Sequence, residues 1–264
     1  MKDEIHHLSI SQINEYLGCS QQYFYHRITE LEPCDVSSAL VVGSAIHSAI
    51  EHFNILKKEG VTTGLTEMEA LFRQCILNDE EDQSVNYGRA SREEVFKLAP
   101  IWLQAFLDTQ NEKERVLRVE DSFEIMLPGL PVPVVGRVDA VLEDEEGAVV
   151  VVDYKTASAK PSSSDISSNL QMTLYGIWAK RAFPNSQIKL RMDYLIKSKR
   201  IPSFMKMPTT RTEIQEQALA MLFTKVYNHI SMLRAEVIDP LPVSSWKCGG
   251  CGYRHACQQS LVAA

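Results

Sequence analysis

Long apolar stretches are missing from this 264-residue sequence, since no uninterrupted run approaches the roughly 18 residues that a membrane-spanning helix needs. The amino-terminal MKDEIHHLSI carries acidic residues where a signal peptide has a basic and then an apolar stretch. We therefore expect a cytoplasmic protein with no membrane partner. Internal repeats and long Gly/Ser/Pro linkers are also missing, as is a phosphate-binding GxxxxGKS/T loop, which excludes a helicase motor.

Positive charge is scarce overall, with 27 Lys and Arg against 34 Asp and Glu and a net charge of −7. Its distribution is uneven, because nine basic residues and a single acid lie between Lys180 and Arg211, a local charge of +8 that leaves −15 for the rest. Such polarisation suits one face to a phosphate backbone. We place these contacts at Lys197, Lys199 and Arg200, and a solvated strand-and-loop surface is the alternative.

Helical patterns dominate the first third of the chain. Three pairs of the S/T-x-x-E/Q type predict helix starts at Ser9, Thr66 and Ser91. Another apolar helical pattern ends near Gly60. The segment 78–88 is acidic and poor in apolar residues, so we expect an exposed loop there.

From residue 116 the hydrophobic period changes to that of strands. The predicted strands cover 116–127, 132–144, 148–156 and 187–197. Helices are predicted from about 165 to 183 and from about 212 to 237. The nearly continuous apolar strands indicate a sheet buried on both faces, hence an α/β fold with a central mixed β-sheet flanked by helices. We expect one domain over 1–264, with a mainly helical part (1–115), a sheet core (116–211) and a long helix with a cysteine-rich tail (212–264).

Two aspartates are predicted to face each other in this sheet. If the hairpin around the turn Asp144–Gly147 is symmetric about Glu146, Asp139 lies directly opposite Asp153, and Lys155 shares their face. Carboxylates so placed repel unless a cation neutralises them, and their oxygens suit Mg²⁺ or Mn²⁺. The alternative is two surface acids that flank a strand.

These residues carry a resemblance to a known family. GRVDAV (136–141) followed by VVDYKT (151–156) resembles the core of the PD-(D/E)XK nucleases, and GSAIH (43–47), QMTLY (171–175) and the cysteines extend the likeness to their RecB-like branch. The resemblance implies a restriction-endonuclease-like core.

The resemblance also implies the roles of individual residues. The metal ligands would be His47, Asp139, Asp153 and the backbone carbonyl of Tyr154, with Lys155 as the catalytic lysine. Gln171 and Tyr175, four apart and therefore on one helix face, would line the site and contact the nucleic acid. By itself, His47 on an apolar helix would more often be a core or surface histidine. Glu120 is a further candidate acid in or beside the site.

The carboxyl-terminal cysteines form a CxxCx5C pattern of Cys248, Cys251 and Cys257, which requires a fourth ligand. From spacing alone, the fourth ligand is His255 or a distant cysteine such as Cys19. The resemblance implies that Cys19 completes a [4Fe-4S] cluster that staples the tail to the amino-terminal part. Zinc is the alternative metal. Cys34 and Cys75 are expected to be ordinary thiols.

Together these features predict a metal-dependent deoxyribonuclease, more specifically an exonuclease, that contains a [4Fe-4S] cluster. Members of the family it resembles include helicase-nuclease domains, CRISPR-associated adaptation nucleases and phage exonucleases. A helicase, or a recombination or CRISPR adaptation protein, is accordingly an expected partner besides DNA. Two alternatives stay open: a non-catalytic nucleic-acid-binding scaffold of the same fold, and a zinc-stabilised interaction protein.

Overall fold

A six-stranded sheet forms the centre of the computed structural model, which describes residues 4–88, 90–243 and 246–257. The strands are β1 (Leu8–Ser9), β2 (Val36–Ser37), β3 (Val85–Asn86), β4 (Arg115–Ile125), β5 (Val134–Glu143), β6 (Val149–Ala157), β7 (Ile188–Ile196) and β8 (Ser203–Thr209). The helices are α1 (Ile10–Gly18), α2 (Ser20–Tyr23), α3 (Ser38–Lys58), α4 (Leu65–Asp82), α5 (Arg92–Leu107), α6 (Ser163–Ser167), α7 (Leu170–Ala182) and α8 (Glu213–Arg234). A π-helical turn covers Phe24–Ile28, and a 3₁₀ turn covers Trp246–Gly250.

The sheet mixes parallel and antiparallel pairs. Strand β5 is antiparallel to β4 and β6, β6 is parallel to β7, and β7 is antiparallel to β8. Strand β1 runs parallel to the beginning of β5, while β2 and β3 form a separate parallel pair. The predicted α/β fold with a central mixed sheet flanked by helices is confirmed.

Strand β6 has a core on each side. Val149 and Val151 belong to a hydrophobic cluster that includes side chains of α1, α7 and α8. Val150 and Val152 belong to a second cluster, with side chains of α3, α4 and α5. Because both faces of the strand are covered, its sequence is apolar at successive positions rather than at alternate ones.

Helix α3 is long and apolar enough to cross a membrane by length and composition alone. Here its apolar side chains, among them Ala45, Ile46 and Ile50, are buried in the second cluster. The core of the fold therefore accounts for the apolar character of this helix.

Several predicted boundaries are confirmed. Ser9 and Gln12 form the predicted capping box of α1, and the Ser91 hydroxyl caps α5 by accepting from the Glu94 amide. The β5–β6 register is also the predicted one, since Ala140 pairs with Val152. The turn needs a left-handed residue, which Gly147 supplies with φ of +78°.

Other expectations about local structure are wrong. Helix α4 begins after Gly64, whose amide donates to Glu67, and not at Thr66. The expected loop 78–88 contains the end of α4 and strand β3, because Ile76 before it and Val85 and Tyr87 within it pack in or against the second cluster. The expected helix 165–183 is two helices, since the Asn169 side chain caps a new start at α7. Strand β8 was not predicted. The division into 1–115, 116–211 and 212–264 stays a prediction.

Candidate active site

The two aspartates lie where the β5–β6 ladder ends. The last hydrogen-bonded pair is Ala140 with Val152, so that Asp139 and Asp153 occupy the next opposed positions. In place of a further backbone pair, the Tyr154 amide donates to Oδ2 of Asp139 at 2.6 Å. The Asp153 side chain is completely buried. The structure therefore brings the two predicted carboxylates to one point of the sheet.

Lys155 contacts the buried carboxylate. Its Nζ donates to Oδ1 of Asp153 at 3.0 Å and lies 2.9 Å from Oδ2, while a second hydrogen bond of 3.0 Å goes to Oε1 of Gln171. Oδ2 of Asp153 is buried and pairs with the Lys155 ammonium, but among the described residues it accepts no contact with the geometry of a hydrogen bond. Buried polar atoms usually accept hydrogen bonds, so this oxygen keeps the capacity to bind a metal ion.

Electrostatics at this point oppose full ionisation. Burial, partly offset by Lys155 and reinforced by Asp139, raises the pKa of Asp153 to about 6. Burial also raises the pKa of Asp139, against the effects of Lys155 and of the Tyr154 amide. Burial lowers the pKa of Lys155, but the adjacent Asp153 carboxylate outweighs that effect and the net pKa is raised. Two desolvated carboxyls facing one ammonium are short of positive charge, which a divalent cation would supply.

His47 reaches the aspartates from α3. Its Nδ1 lies 3.7 Å from Oδ2 of Asp139. Burial lowers the pKa of His47, which favours the neutral imidazole that metals bind, and the ring also bonds to the backbone of Tyr154. Gly43, one turn earlier, lets the helix come near β6, because a Cβ there would lie 3.4 Å from Oγ1 of Thr156. The G-x-x-x-H spacing thus has a packing reason.

Gln171 and Tyr175 share one face of α7, as their spacing predicts. Nε2 of Gln171 donates to the Tyr175 hydroxyl at 2.6 Å, and that hydroxyl donates to the Arg137 carbonyl at 2.6 Å. Tyr175 is almost fully buried. The pair ties Lys155 on β6 to the backbone of β5, and its contact with nucleic acid stays a prediction.

An open cavity of about 410 Å³ adjoins these groups. Its lining includes the predicted residues His47, Asp139, Gln171 and Tyr175. It also includes Glu120, the additional acid considered from the sequence. Burial, together with the charge of Asp139, raises the pKa of Glu120 to about 7.

Sequence reasoning missed the two other charged residues of the cavity lining, Glu51 and Arg137. Both carried a signal, since Glu51 lies one helical turn after His47 and Arg137 lies two strand positions before Asp139.

The donors fit a divalent ion by type rather than by present spacing. No three His, Cys, Asp or Glu side chains of the described ranges are grouped as a metal site. The carboxylates of Asp139 and Asp153 are nevertheless the donors that Mg²⁺ or Mn²⁺ sites use, and the imidazole of His47 is a nitrogen donor of the kind that transition metals bind. The backbone carbonyl of Tyr154 as a ligand remains a prediction.

The cysteines that the sequence assigns to a cluster line a second cavity. Cys19, Cys248, Cys251 and Cys257 all line this cavity of about 750 Å³, although Cys19 is more than 200 residues from the other three in sequence. All six cysteines belong to the described residues and none forms a disulfide. The four sulfurs do not form a metal-binding group as they stand. His255 is absent from the described lining of this cavity, Cys34 is exposed, and Cys75 packs in the second core.

Hydrogen bonds and an ion pair join the tail to residues 25–35 of the amino-terminal part. The Cys34 amide donates to the Gly252 carbonyl at 2.8 Å, and Arg254 forms an ion pair with Asp35. The Tyr25 hydroxyl donates to the Ala256 carbonyl at 3.0 Å.

The basic segment, Lys180 to Arg211, has less unpaired positive charge than its sequence indicates. Five of its nine cations are paired with acids: Lys180 with Glu216, Lys189 with Asp144 and Glu146, Arg191 with Glu114 and Asp193, Lys199 with Glu94, and Lys206 with Glu114. The local excess of +8 is therefore largely neutralised by acids from other parts of the chain. DNA contacts at Lys197, Lys199 and Arg200 stay a prediction.

Comparison with known proteins gives the class. Residues 7–258 match the PD-(D/E)XK nuclease superfamily, and the chain belongs to that superfamily. Membership implies a nucleic-acid substrate and phosphodiester hydrolysis, and nucleases of this superfamily generally use a divalent metal ion.

Two solved structures are similar to this chain. A crystal structure at 2.19 Å of a protein from Eubacterium rectale, named "Putative exonuclease", is 12% identical, with a TM-score of 0.56 and coverage of 92% of this chain and 86% of that one. This likeness shows the fold. SSO0001 is 15% identical over 94% of each chain, and its TM-score of 0.35 is too low to support an argument. No protein with a curated description matches the sequence.

Proposed function

We propose that this protein is a Mg²⁺- or Mn²⁺-dependent DNA exonuclease of the RecB-like branch. The observation that carries the proposal is the pair of opposed aspartates at the end of the β5–β6 ladder. Asp153 is completely buried, and its Oδ2, which accepts no hydrogen bond among the described residues, lies 2.9 Å from Nζ of Lys155. The exonuclease name of the Eubacterium rectale protein is consistent with this activity.

His47, Asp139, Asp153 and the Tyr154 carbonyl would hold the ion. When bound, a divalent ion supplies an activated water and neutralises charge on the phosphate. Lys155 orients the attacking water and stabilises the charge that develops on phosphate oxygens during in-line attack. Gln171 holds the ammonium of Lys155 in place through its bond of 3.0 Å. Tyr175 fixes Gln171 and β5 relative to each other.

The decisive assay incubates anaerobically purified protein with end-labelled single- and double-stranded DNA in Mg²⁺, Mn²⁺ or chelator. We expect cleavage that requires the ion. Mononucleotide release from an end supports an exonuclease, and internal fragments support an endonuclease. Binding to DNA without any cleavage would instead support the scaffold alternative.

A [4Fe-4S] cluster is the second part of the proposal, with Cys19, Cys248, Cys251 and Cys257 as ligands. It is supported by the convergence of these four cysteines on one cavity from both ends of the chain. Thiolates in this number suit iron-sulfur clusters or zinc. The cluster would have a structural role, holding the tail against α1.

Absorbance and metal analysis of anaerobically purified protein test the cluster. A broad band near roughly 400 nm, lost in Cys19→Ala and retained in Cys34→Ala and Cys75→Ala, is the expected result. A colourless protein with one bound zinc would favour the zinc-stabilised alternative. If His255→Ala loses the iron while Cys19→Ala keeps it, the proposed fourth ligand is wrong.

A further inference from the structure

The cavity beside the aspartates is lined mainly by acidic charge, which repels a phosphate group. Glu51, Glu120 and Asp139 all contribute carboxylates to its lining. Among the described residues that line the cavity, Arg137 is the one side chain with a permanent positive charge. A polyanion entering this cavity therefore meets a single guanidinium.

We propose that Arg137 binds a backbone phosphate of the substrate in the active site, and that Glu120 positions its guanidinium for that contact. The inference rests on the proposed nuclease function and adds a residue to it.

The position of Arg137 suits this role. It lies two residues before Asp139 on β5, hence on the same side of the strand. Two-thirds of its side chain is exposed, at 66%, so the guanidinium is open to a ligand. Its own carbonyl accepts the Tyr175 hydroxyl at 2.6 Å, which fixes the backbone from which the side chain projects.

The contact with Glu120 leaves the guanidinium competent to bind. Nε of Arg137 lies 2.6 Å from Oε2 of Glu120, its one carboxylate partner within the part of the chain that the structure describes. The two terminal nitrogens remain for a bidentate contact, the geometry in which arginine recognises phosphate. An ammonium at the same position would keep the charge but lose this fork.

The backbone at Glu120 is consistent with a positioning role. Glu120 has φ of +48° within the otherwise extended strand β4, opposite Asp139 in the β4–β5 register. Left-handed conformations of residues other than glycine are unfavourable, and they persist at sites where surrounding contacts hold them. Here that conformation accompanies the ion pair with Arg137.

The test compares Arg137→Gln with a matched control, Arg115→Gln. Arg115 also lies on the β4–β5 ladder, is 67% exposed and pairs across the ladder with Glu143, but at the far end from the cavity. We expect Arg137→Gln to lower kcat/KM for DNA by roughly tenfold or more, the range for a lost hydrogen bond to a charged group. Arg137→Lys should be intermediate, and Arg115→Gln should match wild type.

A neutral linkage identifies the phosphate. A single methylphosphonate is moved along the DNA around the cleavage point, and each substrate is cleaved by wild type and by Arg137→Gln. At the contacted position the difference between the two enzymes should disappear, because the charge that Arg137 binds is already gone. An undiminished difference at every position would overturn the phosphate contact.

Glu120 is tested through Arg137 in a double-mutant cycle. Glu120→Ala should lower kcat/KM in the wild-type background and have no further effect in Arg137→Gln, because a positioning residue acts through its partner. Additive losses would overturn the positioning role.

These outcomes separate the inference from the proposed function. If wild type cleaves DNA and Arg137→Gln cleaves it equally well, the inference fails and the nuclease assignment stands. If wild type fails to cleave any DNA with either metal, the proposed function fails and the inference fails with it.

Discussion

Asp153 and Asp193 are two aspartates of one sheet that resemble each other in burial, in pKa and in the distance to the nearest cation. They lie on the neighbouring strands β6 and β7, with side chains 0% and 1% exposed. Burial raises the pKa of both carboxyls to about 6, and each has a cation within 3 Å. In the register Asp193 is opposite Tyr154, so the two side chains belong to opposite faces of the sheet.

The difference lies in charge balance. Asp193 accepts from Nε of Arg191 at 2.9 Å, and Arg191 also contacts Glu114, which in turn contacts Lys206 at 3.0 Å. Two acids and two bases alternate in that network. Asp153 instead shares a single ammonium with Gln171 and faces Asp139. Burial and a raised pKa are therefore common to both sites, and only the unbalanced one is suited to a divalent ion.

The largest expected effect separates the two residues by activity. Asp153→Asn should lower the rate of metal-dependent DNA cleavage by more than about 100-fold. Mutations of residues that only support a metal ligand cost up to about 100-fold, and this variant removes a ligand itself. Asp193→Asn, with the same chemical change at the same burial, should retain most activity. End-labelled DNA and single-turnover kinetics measure both. Full activity of a folded Asp153→Asn protein would contradict the assignment of the site.

Stability should show the reverse order. Asp193→Asn leaves Arg191 buried with only Glu114 as a partner, and we expect a loss of about 2 kcal/mol in the free energy of unfolding. Asp153→Asn also removes a partner of Lys155, but it relieves the repulsion with Asp139 and leaves an ammonium that is 32% exposed, so the metal-free protein should lose less stability. Urea denaturation in chelator measures both variants. Greater destabilisation by Asp153→Asn than by Asp193→Asn would contradict the difference in charge balance between the two sites.

The pH dependence of stability sharpens the comparison further. Each carboxyl has a folded-state pKa of about 6 and a reference value of 3.8, so the native state binds more protons between these values. The contribution of each group to the free energy of unfolding then falls as pH rises from about 4 to about 6, by at most about 3 kcal/mol.

In chelator, Asp153→Asn and Asp193→Asn should each remove one of these pH-dependent contributions to the free energy of unfolding. Urea midpoints across this pH range measure the change. At pH 7, added Mg²⁺ or Mn²⁺ should restore the stability that is lost through ionisation of Asp153. It should not restore the stability lost through ionisation of Asp193, because only Asp153 would bind the ion. An equal pH dependence in wild type and both variants would contradict the raised pKa values.

Local chemistry explains how much of this site the sequence could predict. The register of Asp139 against Asp153 followed from a short turn that ends at Gly147, because turn geometry fixes pairing along a hairpin. Gln171 and Tyr175 met on one helix face because four residues make about one turn. Each inference used contacts within a few residues or one hairpin.

Features that depend on distant partners were not predictable in this way. Arg191 was counted as a free positive charge, yet Glu114, 77 residues earlier in sequence, neutralises it. The Arg137–Glu120 pair involves a left-handed residue in β4, which no sequence pattern predicts. The start of α4 after Gly64 differs from the prediction because the Gly64 amide pairs with Glu67, whereas the prediction used Ser and Thr caps.

The smallest expected effect concerns Lys197, Lys199 and Arg200 of the basic segment, where Lys199 also pairs with Glu94. Lys206 belongs to the network around Asp193, whereas Lys197, Lys199 and Arg200 follow β7 beyond it. Replacing these three by Gln should weaken DNA binding at any sequence and flatten the slope of log affinity against log salt by about 0.7 to 0.9 for each lost phosphate contact. Turnover at saturating DNA should change much less, since uniform binding affects KM rather than kcat.

Lys206→Gln is the matched control and should show the opposite pattern. It removes one partner of Glu114, so the protein should lose stability while the salt dependence of DNA binding stays at the wild-type value. Fluorescence anisotropy with labelled DNA over a salt series, beside urea denaturation, measures both properties. If the triple variant binds with unchanged affinity and slope, these cations form only a solvated surface, and the DNA must reach Asp153 along another face.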